Sequence, residues 1–220
     1  MPNEYPIDIV QSKFHQDIEK YGQALLFSKD EMILSPEALK QKFFFVLNGR
    51  IKVSQVNLKD GKEQILTILT SGDMYDVVTL LDGKIHENLL HALDEVKIIC
   101  FPMDVVRKWM QEDQNFNKIL FPYISQQLRE REELVLDLSF YSTSERLIKL
   151  ISKNINHNDP CKLNLIYDLP HEVIASLIGT VRKVLNRHIQ QLKDDGIITV
   201  KRKNIEIKDT QKLLDNLPLF

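Results

Sequence analysis

Several features that mark other protein classes are scarce in this sequence of 220 residues. It has two cysteines, Cys100 and Cys161, which are too few and too far apart for the disulfide framework of a small secreted domain. No apolar run approaches the roughly 20 residues of a membrane-spanning helix, and the N-terminus lacks the pattern of a signal peptide. We therefore expect a cytoplasmic protein of one or two globular domains, with no membrane partner.

The net charge is only −2, but this average hides a difference between the two parts of the chain. From Ser139 to Phe220 there are 13 Lys and Arg residues against 9 Asp and Glu residues. From Met1 to Leu138 there are 16 against 22. A basic C-terminal part beside an acidic N-terminal part favours a polyanion as the partner of the C-terminal part.

The segment from Ile18 to Phe101 carries patterns typical of short strands. The apolar run from Phe43 to Leu47 stops at Asn48-Gly49, and Asp60-Gly61 lies between two β-prone segments, which is a strong hairpin signal. Val96, Ile98 and Cys100 alternate with other residues and are expected to share one face of a strand. Short strands at such spacing predict an antiparallel sandwich or barrel.

From Asp104 to Leu138 the apolar residues fall at the spacing of a long helix. A seam runs along it and is interrupted at Arg131; its apolar members are Phe121, Ile124, Leu128, Val135 and Leu138. Such a seam usually pairs with a second copy of the helix, although packing on the chain's own β domain is the alternative. Pro122 is expected to kink this helix or to mark a new start near Phe121.

The remaining part of the chain, 139–220, is predicted to be a separate domain that begins just before a capping box formed by Ser142 and Glu145. A short helix from His171 to Ile178 is followed by a turn at Gly179-Thr180 and a second helix from Val181 to Lys193. Two strands then flank a basic tip. This order predicts a winged helix-turn-helix, and therefore an α+β fold for the whole chain.

The outer face of the second helix is suited to DNA. Cationic side chains attract phosphates, while Arg, Asn and Gln can form bidentate contacts with base edges in the major groove. The hairpin tip adds cations suited to a neighbouring phosphate. The predicted DNA-binding residues are Thr180, Arg182, Lys183, Asn186, Arg187, Gln190, Lys201, Arg202 and Lys203.

With these motifs in place, the chain resembles the cyclic AMP receptor protein/FNR superfamily of bacterial transcription regulators from about Phe27 to Asp209. The motifs that carry the resemblance are FFFVLNGRIKV, the Asp60-Gly61 hairpin, LTSGD and HEVIASLIGTVRKVLNRHIQQLKDDGII. The resemblance implies an N-terminal β-roll (a jelly-roll), a long dimerisation helix at about 104–138 and a C-terminal winged helix-turn-helix. It implies a homodimer on near-palindromic double-stranded DNA, with RNA polymerase as a further partner, and no enzymatic activity.

The resemblance also marks differences on the recognition helix. The cyclic AMP receptor protein has Arg-Glu at the start of this helix and a further Arg, and here Arg182 and Arg187 match the two arginines. The Glu position is Lys183, which cannot accept a hydrogen bond from a cytosine amino group. We therefore expect a different half-site.

The family's cyclic-nucleotide cassette is incomplete in this sequence. Gly72-Asp73 is present, but the Gly-Glu position reads Asp76-Val77 and the Arg-Ser position falls near Glu87-Asn88. No arginine lies between Arg50 and Arg107 to neutralise a cyclic phosphate, so we expect that cyclic AMP is not the effector. The pocket candidates are Gly72, Asp73, Tyr75, Asp76, Val77, His86, Glu87, Leu89 and Arg131, the last of which falls where the family contacts adenine.

Other effectors of the family require particular protein side chains as ligands. An iron–sulfur cluster needs about four cysteines, so the two in this sequence argue against one. Non-covalent haem could use His86 or His91 as an axial ligand, with apolar walls from Met74, Tyr75, Val77, Val78, Leu80, Leu89 and Leu90. Zinc held by His86, His91 and Glu87, and a redox pair of Cys100 and Cys161, are weaker options, and we predict no metal site.

Arg131 has two interpretations. It is a polar seam residue that fixes the register of paired helices, or it reaches Asp73, Asp76 or Glu87 and replaces the charge of a ligand. In the second case the protein binds DNA without a ligand.

Two rival functions are a DNA-binding dimer with no sensory role and a cupin-like metal enzyme. The spacing of His86 and His91 does not fit the enzyme.

Overall fold

The computed structural model describes residues 15–85, 88–156, 158–201 and 204–217. The chain divides into two units, Met1–Leu128 and Arg129–Phe220. None of the described helices is both long and apolar enough to span a membrane. Four predicted site residues lie outside the described residues: His86, Glu87, Arg202 and Lys203.

The first unit is built on antiparallel strands. In chain order its elements are α1 (His15–Tyr21), β1 (Gln23–Phe27), α2 (Pro36–Leu39), β2 (Lys42–Asn48), β3 (Ile51–Val56), β4 (Glu63–Leu69), β5 (Met74–Tyr75), α3 (Val77–Asp82), β6 (Leu89–Ala92), β7 (Val96–Pro102), α4 (Met103–Glu112) and the first half of α5 (Gln114–Phe140). The strands form two sheets, in the orders β1-β7-β2-β5 and β4-β3-β6. The predicted N-terminal β domain followed by a long helix is confirmed.

Strands β2 and β7 are buried on both of their faces. Phe43, Phe45 and Phe101 pack edge-on in one core with Trp109 of α4, and the ring centroids of Phe101 and Trp109 lie 4.9 Å apart. Phe44 and Val46 belong to a second core, together with Val96, Ile98 and Cys100 as predicted. Because successive side chains of a strand point to opposite faces, a strand buried on both faces gives a continuous apolar run.

The Asp60-Gly61 hairpin is confirmed between β3 and β4. Gly61 has a φ of +69°, which favours glycine, and the Asp60 carboxylate accepts from the backbone N–H of Lys62 at 3.0 Å. The ladder shifts register between Val53 and Ser54.

The long helical segment contains a break that the apolar spacing did not predict. Helix α4 ends at Glu112, and its C-cap Asp113 is extended, with a φ of −127° and a ψ of 111°. The Asp113 carboxylate accepts from Asn115 N–H at 2.6 Å. The predicted new start near Phe121 is wrong, because α5 begins at Gln114 and continues through Pro122. Lys118 and Pro122 are exposed, so water can satisfy the carbonyl that loses its donor.

The second unit begins with the last turns of α5 and continues with α6 (Thr143–Lys153), α7 (His171–Leu177), α8 (Arg182–Asp194), β8 (Ile198–Lys201), β9 (Asn204–Ile207) and α9 (Thr210–Asp215). The capping box of Ser142 and Glu145 is present at the start of α6. The Lys149 ammonium joins α6 to α5 by ion pairs with Glu133 at 2.9 Å and Asp137 at 2.5 Å. The predicted winged helix-turn-helix is confirmed.

The two thiols are expected to differ in reactivity. Burial raises the pKa of the Cys100 thiol to about 11, whereas Cys161 is exposed. Because the thiolate is the reactive form, one thiol per native chain should react with a thiol reagent near neutral pH, and two after unfolding. Rapid labelling of Cys161→Ser in the native state would contradict this expectation.

Candidate nucleic-acid interface and effector pocket

A tight turn connects α7 to α8. Gly179 has a φ of +67°, and the N–H of Thr180 donates to the carbonyl of Ala175 at 2.9 Å. Helix α8 then buries one side, which includes Leu185, Ile189 and Leu192. The opposite side is thereby held away from the core of this unit.

The outward side of α8 carries five exposed polar residues, which we call the reading face: Arg182, Lys183, Asn186, Arg187 and Gln190. Three of them have partners within the unit. Arg182 Nη1 lies 2.6 Å from Glu172 Oε1, and Gln190 Nε2 donates to Asp194 Oδ1 at 2.7 Å. Asn186 Oδ1 lies 2.7 Å from His171 Nδ1. The reading face therefore presents cations and amides on a rigid helix, as sequence-specific contact with a major groove requires.

The wing is a short antiparallel hairpin. Its register pairs Ile198 with Ile207 and Lys201 with Asn204. The Lys201 ammonium is 2.7 Å from the Glu206 carboxylate and is largely exposed. Lys201 is the only one of the three predicted wing cations within the described residues, and its exposure leaves it accessible to a phosphate.

A buried histidine on α8 was not predicted. His188 lies on the inner side of the helix, its Nε2 is 2.8 Å from Thr143 Oγ1, and its Nδ1 has no hydrogen-bond partner among the described residues. Leu185, His188, Ile189 and Leu192 follow the spacing of one buried stripe, so the sequence contained the signal. Burial lowers the pKa of His188, and the nearby Arg187 adds to this effect.

We expect His188 to make stability depend on pH. Because its folded-state pKa lies below the ordinary value of 6.5, the unfolded chain binds the proton more readily than the folded chain. The free energy of unfolding should therefore be highest above about pH 6.5 and fall as the pH drops towards the lowered pKa. Denaturant unfolding at about pH 7.5 and about pH 5.5 measures this loss. His188→Gln should show a smaller loss, and an unchanged one would contradict the assignment.

The turn that opens the predicted pocket is held by its own residues. Gly72 has a φ of +96°, and its N–H donates to the carbonyl of Val46 at 3.0 Å. The Asp73 carboxylate accepts from the backbone N–H of Thr70 at 2.6 Å. The Asp73 side chain thus has a structural partner.

Asp76 is also engaged within the chain. Its carboxylate is buried and caps α3, accepting from the N–H of Thr79 at 3.4 Å and from the Thr79 hydroxyl at 2.6 Å. Within the first unit, neither Asp73 nor Asp76 forms an ion pair with any described residue. Arg107 lies at the other end of α3, where its guanidinium donates to the carbonyls of Thr79 and Leu80. Among the described residues, the start of α3 therefore carries the Asp76 carboxylate and no arginine.

Tyr75 and Asn88 form a polar chain beside this site. The Tyr75 ring stacks on Phe44, and Asn88 Nδ2 donates to the Tyr75 hydroxyl at 3.2 Å. Asn88 Oδ1 in turn accepts from Gln55 Nε2 at 3.2 Å. Asn88 occupies one of the two positions predicted to match the family's Arg-Ser pair, and here its amide is buried and hydrogen-bonded.

The predicted haem walls are distributed over two cores. Met74, Leu80 and the half-buried Val77 belong to the core around Trp109, whereas Tyr75 and Leu90 belong to the core between the sheets. Val78 is exposed and Leu89 half-buried. His91 is half-buried on β6, and its Nδ1 has no partner among the described residues. The structure therefore does not bring these residues onto one wall.

Metal ligands do not converge in the described part of the chain. Within residues 15–85, 88–156, 158–201 and 204–217, no group of three His, Cys, Asp or Glu side chains could hold a metal ion. The zinc hypothesis involves His86 and Glu87, which lie outside those ranges.

Most of the seam residues of α5 are exposed in the single chain. The exposed fractions of Phe121, Leu128 and Val135 are 55%, 60% and 62%, and these residues repeat every seven positions. Leu138 and Arg131 are also exposed, whereas Ile124 packs against the core around Trp109. This apolar stripe is left uncovered by the rest of each unit.

Two family comparisons cover most of the chain. Residues 25–113 match the family described as cyclic nucleotide-binding domain, and residues 145–215 match the Crp-like helix-turn-helix domain. A Mycobacterium tuberculosis protein named CRP-like cAMP-activated global transcriptional regulator is 22% identical over 89% of this chain and 88% of its own length. The global nitrogen regulator of a Nostoc species is 23% identical over 82% of this chain and 83% of its own length.

Solved structures share the fold. A CooA mutant from Carboxydothermus hydrogenoformans matches with a TM-score of 0.78 and 20% identity, covering 96% of this chain and 94% of that chain. FixK2 from Bradyrhizobium japonicum matches with a TM-score of 0.75 and 19% identity, covering 90% and 98%. With both domain families matched in the observed order, the chain belongs to the cyclic AMP receptor protein/FNR family of DNA-binding transcription regulators.

Proposed function

We propose that this regulator acts in the cytoplasm as a homodimer that binds a near-palindromic DNA site and is not controlled by cyclic AMP. The observation that carries the proposal is the reading face of α8, where Arg182, Asn186 and Arg187 stand outward from a buried apolar stripe. Paired recognition helices of this kind enter successive major grooves about one helical turn apart. Lys201, with Thr180 at the turn before α8, is suited to the flanking phosphates.

The homodimer part of the proposal is supported by the seam of α5. Three apolar residues at heptad spacing, Phe121, Leu128 and Val135, are more than half exposed, and a second copy of α5 would cover them. Arg131 then stands as a polar seam residue that fixes the register of the two helices. The alternative role, in which Arg131 neutralises pocket carboxylates, has less support, because Asp73 and Asp76 already accept hydrogen bonds from Thr70 and Thr79.

Independence from cyclic AMP is supported by the start of α3. The N-cap position of α3 is already occupied by the Asp76 carboxylate, which accepts from the N–H of Thr79. A cyclic phosphate placed there would meet this carboxylate without an arginine to offset the repulsion. The Mycobacterium tuberculosis relative is named as cAMP-activated, so this site is where the two proteins are expected to differ.

The effector question is tested on the purified full-length chain. Cyclic AMP is expected to change neither the thermal unfolding temperature nor the affinity for DNA, and a saturable increase in either would contradict the proposal. The absorption spectrum tests the haem alternative, because bound haem gives a Soret band. If that band appeared, His91→Ala would test whether the half-buried His91 is the axial ligand of the haem.

DNA binding is tested by fluorescence anisotropy on DNA enriched from a random library. We expect the logarithm of the binding constant to fall steeply and linearly with the logarithm of the salt concentration. Equal affinity for the enriched and the unselected DNA would contradict sequence-specific binding.

A further inference from the structure

The first turn of α7 holds two side chains of the reading face. His171 Nδ1 is 2.7 Å from Asn186 Oδ1, and Glu172 Oε1 is 2.6 Å from Arg182 Nη1. Neither His171 nor Glu172 is among the residues predicted to contact DNA. Both contacts cross the turn that joins α7 to α8, so each links the first helix of the motif to the helix that reads bases.

The contact with Asn186 has a defined polarity. An amide oxygen can only accept a hydrogen bond, so Nδ1 of His171 must carry the hydrogen and donate it. This arrangement turns the amide of Asn186 so that its oxygen faces α7. The Asn186 Nδ2 group has no hydrogen-bond partner among the described residues, and the Asn186 side chain is exposed.

The orientation of this amide affects which base it can recognise. An asparagine pairs with adenine by accepting from N6 and donating to N7, which requires both ends of the amide. The oxygen can accept two hydrogen bonds, but the one from His171 keeps it turned towards α7, so the NH₂ donor is the end presented to a base. Its matches in the major groove are acceptors, and guanine offers two of them, O6 and N7, while thymine offers O4. Adenine offers only N7, beside an N6 donor that the NH₂ group cannot satisfy.

We propose that His171 is a specificity-determining positioning residue, which turns the Asn186 amide so that it favours guanine or thymine over adenine at one base pair of each half-site. The inference rests on the proposed base-reading role of α8. His171 acts here through Asn186 and needs no contact of its own with a base.

The experiment uses the full-length protein and a random DNA library, from which the wild type and four variants each select their sites. Asn186→Ala identifies the base pair that Asn186 reads, because preference is lost there. His171→Ala frees the amide, and His171→Gln keeps a side-chain donor in the same region. Glu172→Gln is the matched control at this base pair, since it leaves the partner of Asn186 in place and alters only the neighbouring contact, with Arg182.

The expected result is a wild-type preference for guanine or thymine at that base pair. In His171→Ala, acceptance of adenine relative to the preferred base should rise about five- to tenfold. His171→Gln and Glu172→Gln should keep the wild-type preference at that base pair, and any change caused by Glu172→Gln should fall at the base pair that Arg182 reads. A wild type that already selects adenine there, or His171→Ala with an unchanged profile, would overturn the inference while leaving DNA recognition by α8 intact.

Two further readouts separate this inference from the function on which it rests. If Asn186→Ala selects the same sites as the wild type, or the wild type enriches no sequence, the base-reading role of Asn186 fails and the inference fails with it. The ¹⁵N shifts of the His171 ring report its tautomer without DNA, and a hydrogen on Nδ1 is expected. A neutral ring that carries its hydrogen on Nε2 would overturn the inference even in a protein that binds DNA specifically.

Discussion

Replacing Leu128 by glutamate is expected to convert the protein from a dimer into a monomer and to weaken operator binding by roughly 10²–10⁴-fold. The substitution places a charge from each chain at the centre of the proposed seam, where the two carboxylates would face each other. A dimer gains affinity because the second half-site is bound at a high effective concentration, and a monomer loses that gain. Light scattering after gel filtration gives the mass, and anisotropy gives the affinity.

Two properties make this variant informative. Leu128 is 60% exposed within the chain, so its replacement should leave the secondary structure and the core around Trp109 intact. Arg129→Glu is the matched control, because it adds a carboxylate at the next residue, outside the heptad positions of the seam. Leu128→Glu that keeps the dimeric mass would refute α5 as the dimer interface, whatever its effect on DNA binding.

Arg187→Ala should reduce affinity for the enriched DNA by about 5- to 150-fold, which corresponds to the roughly 1–3 kcal/mol of a bidentate arginine–guanine contact. Arg187 is exposed on the reading face, one residue before the buried His188, and the helix therefore directs it outward. Arg182→Ala is expected to lower sequence preference in the same way. Competition between enriched and random DNA measures both effects.

Lys201→Ala tests the wing in the way that Arg187→Ala tests the reading face. Its ammonium is expected to contact a phosphate, which carries no sequence information, so affinity should fall about equally on all DNA. The slope of log affinity against log salt should also decrease by about one. If Arg187→Ala instead weakens the enriched and the random DNA equally, its base-reading role is refuted.

The DNA-binding motif could be predicted from the sequence because its determinants are local. Gly179 marks the turn, the apolar spacing of Leu185, Ile189 and Leu192 gives the buried side of α8, and the polar residues between them give the reading face. The Asp60-Gly61 hairpin was predictable for the same reason, since a left-handed residue is needed at that turn.

Competing sequence patterns concealed some features of the fold. The break at Asp113 is hidden by apolar residues that continue at helical spacing on both sides, from Trp109 to Phe116 and Leu120. The position of His188 belongs to the buried stripe of α8, but a polar side chain is more typical of an exposed position. Because β2 is buried on both faces, its sequence does not alternate between apolar and polar residues, and no such pattern shows which face each phenylalanine occupies.

The long-range contacts lay beyond the reach of sequence patterns. The pairing of His171 with Asn186, and of Glu172 with Arg182, depends on how two helices cross at a turn. The effector site shows a similar limit. The sequence located the Gly72-Asp73 turn, but only the structure shows that Asp73 and Asp76 are already engaged by Thr70 and Thr79.

The central claim is that two copies of this chain read one symmetric DNA site. Its most direct test is the sequence enriched from a random library, together with the mass of the complex that forms on it. We expect an inverted repeat whose half-site centres lie about 10–10.5 base pairs apart, or a multiple of that spacing, with two chains on each duplex. A single asymmetric motif occupied by one chain would contradict the claim.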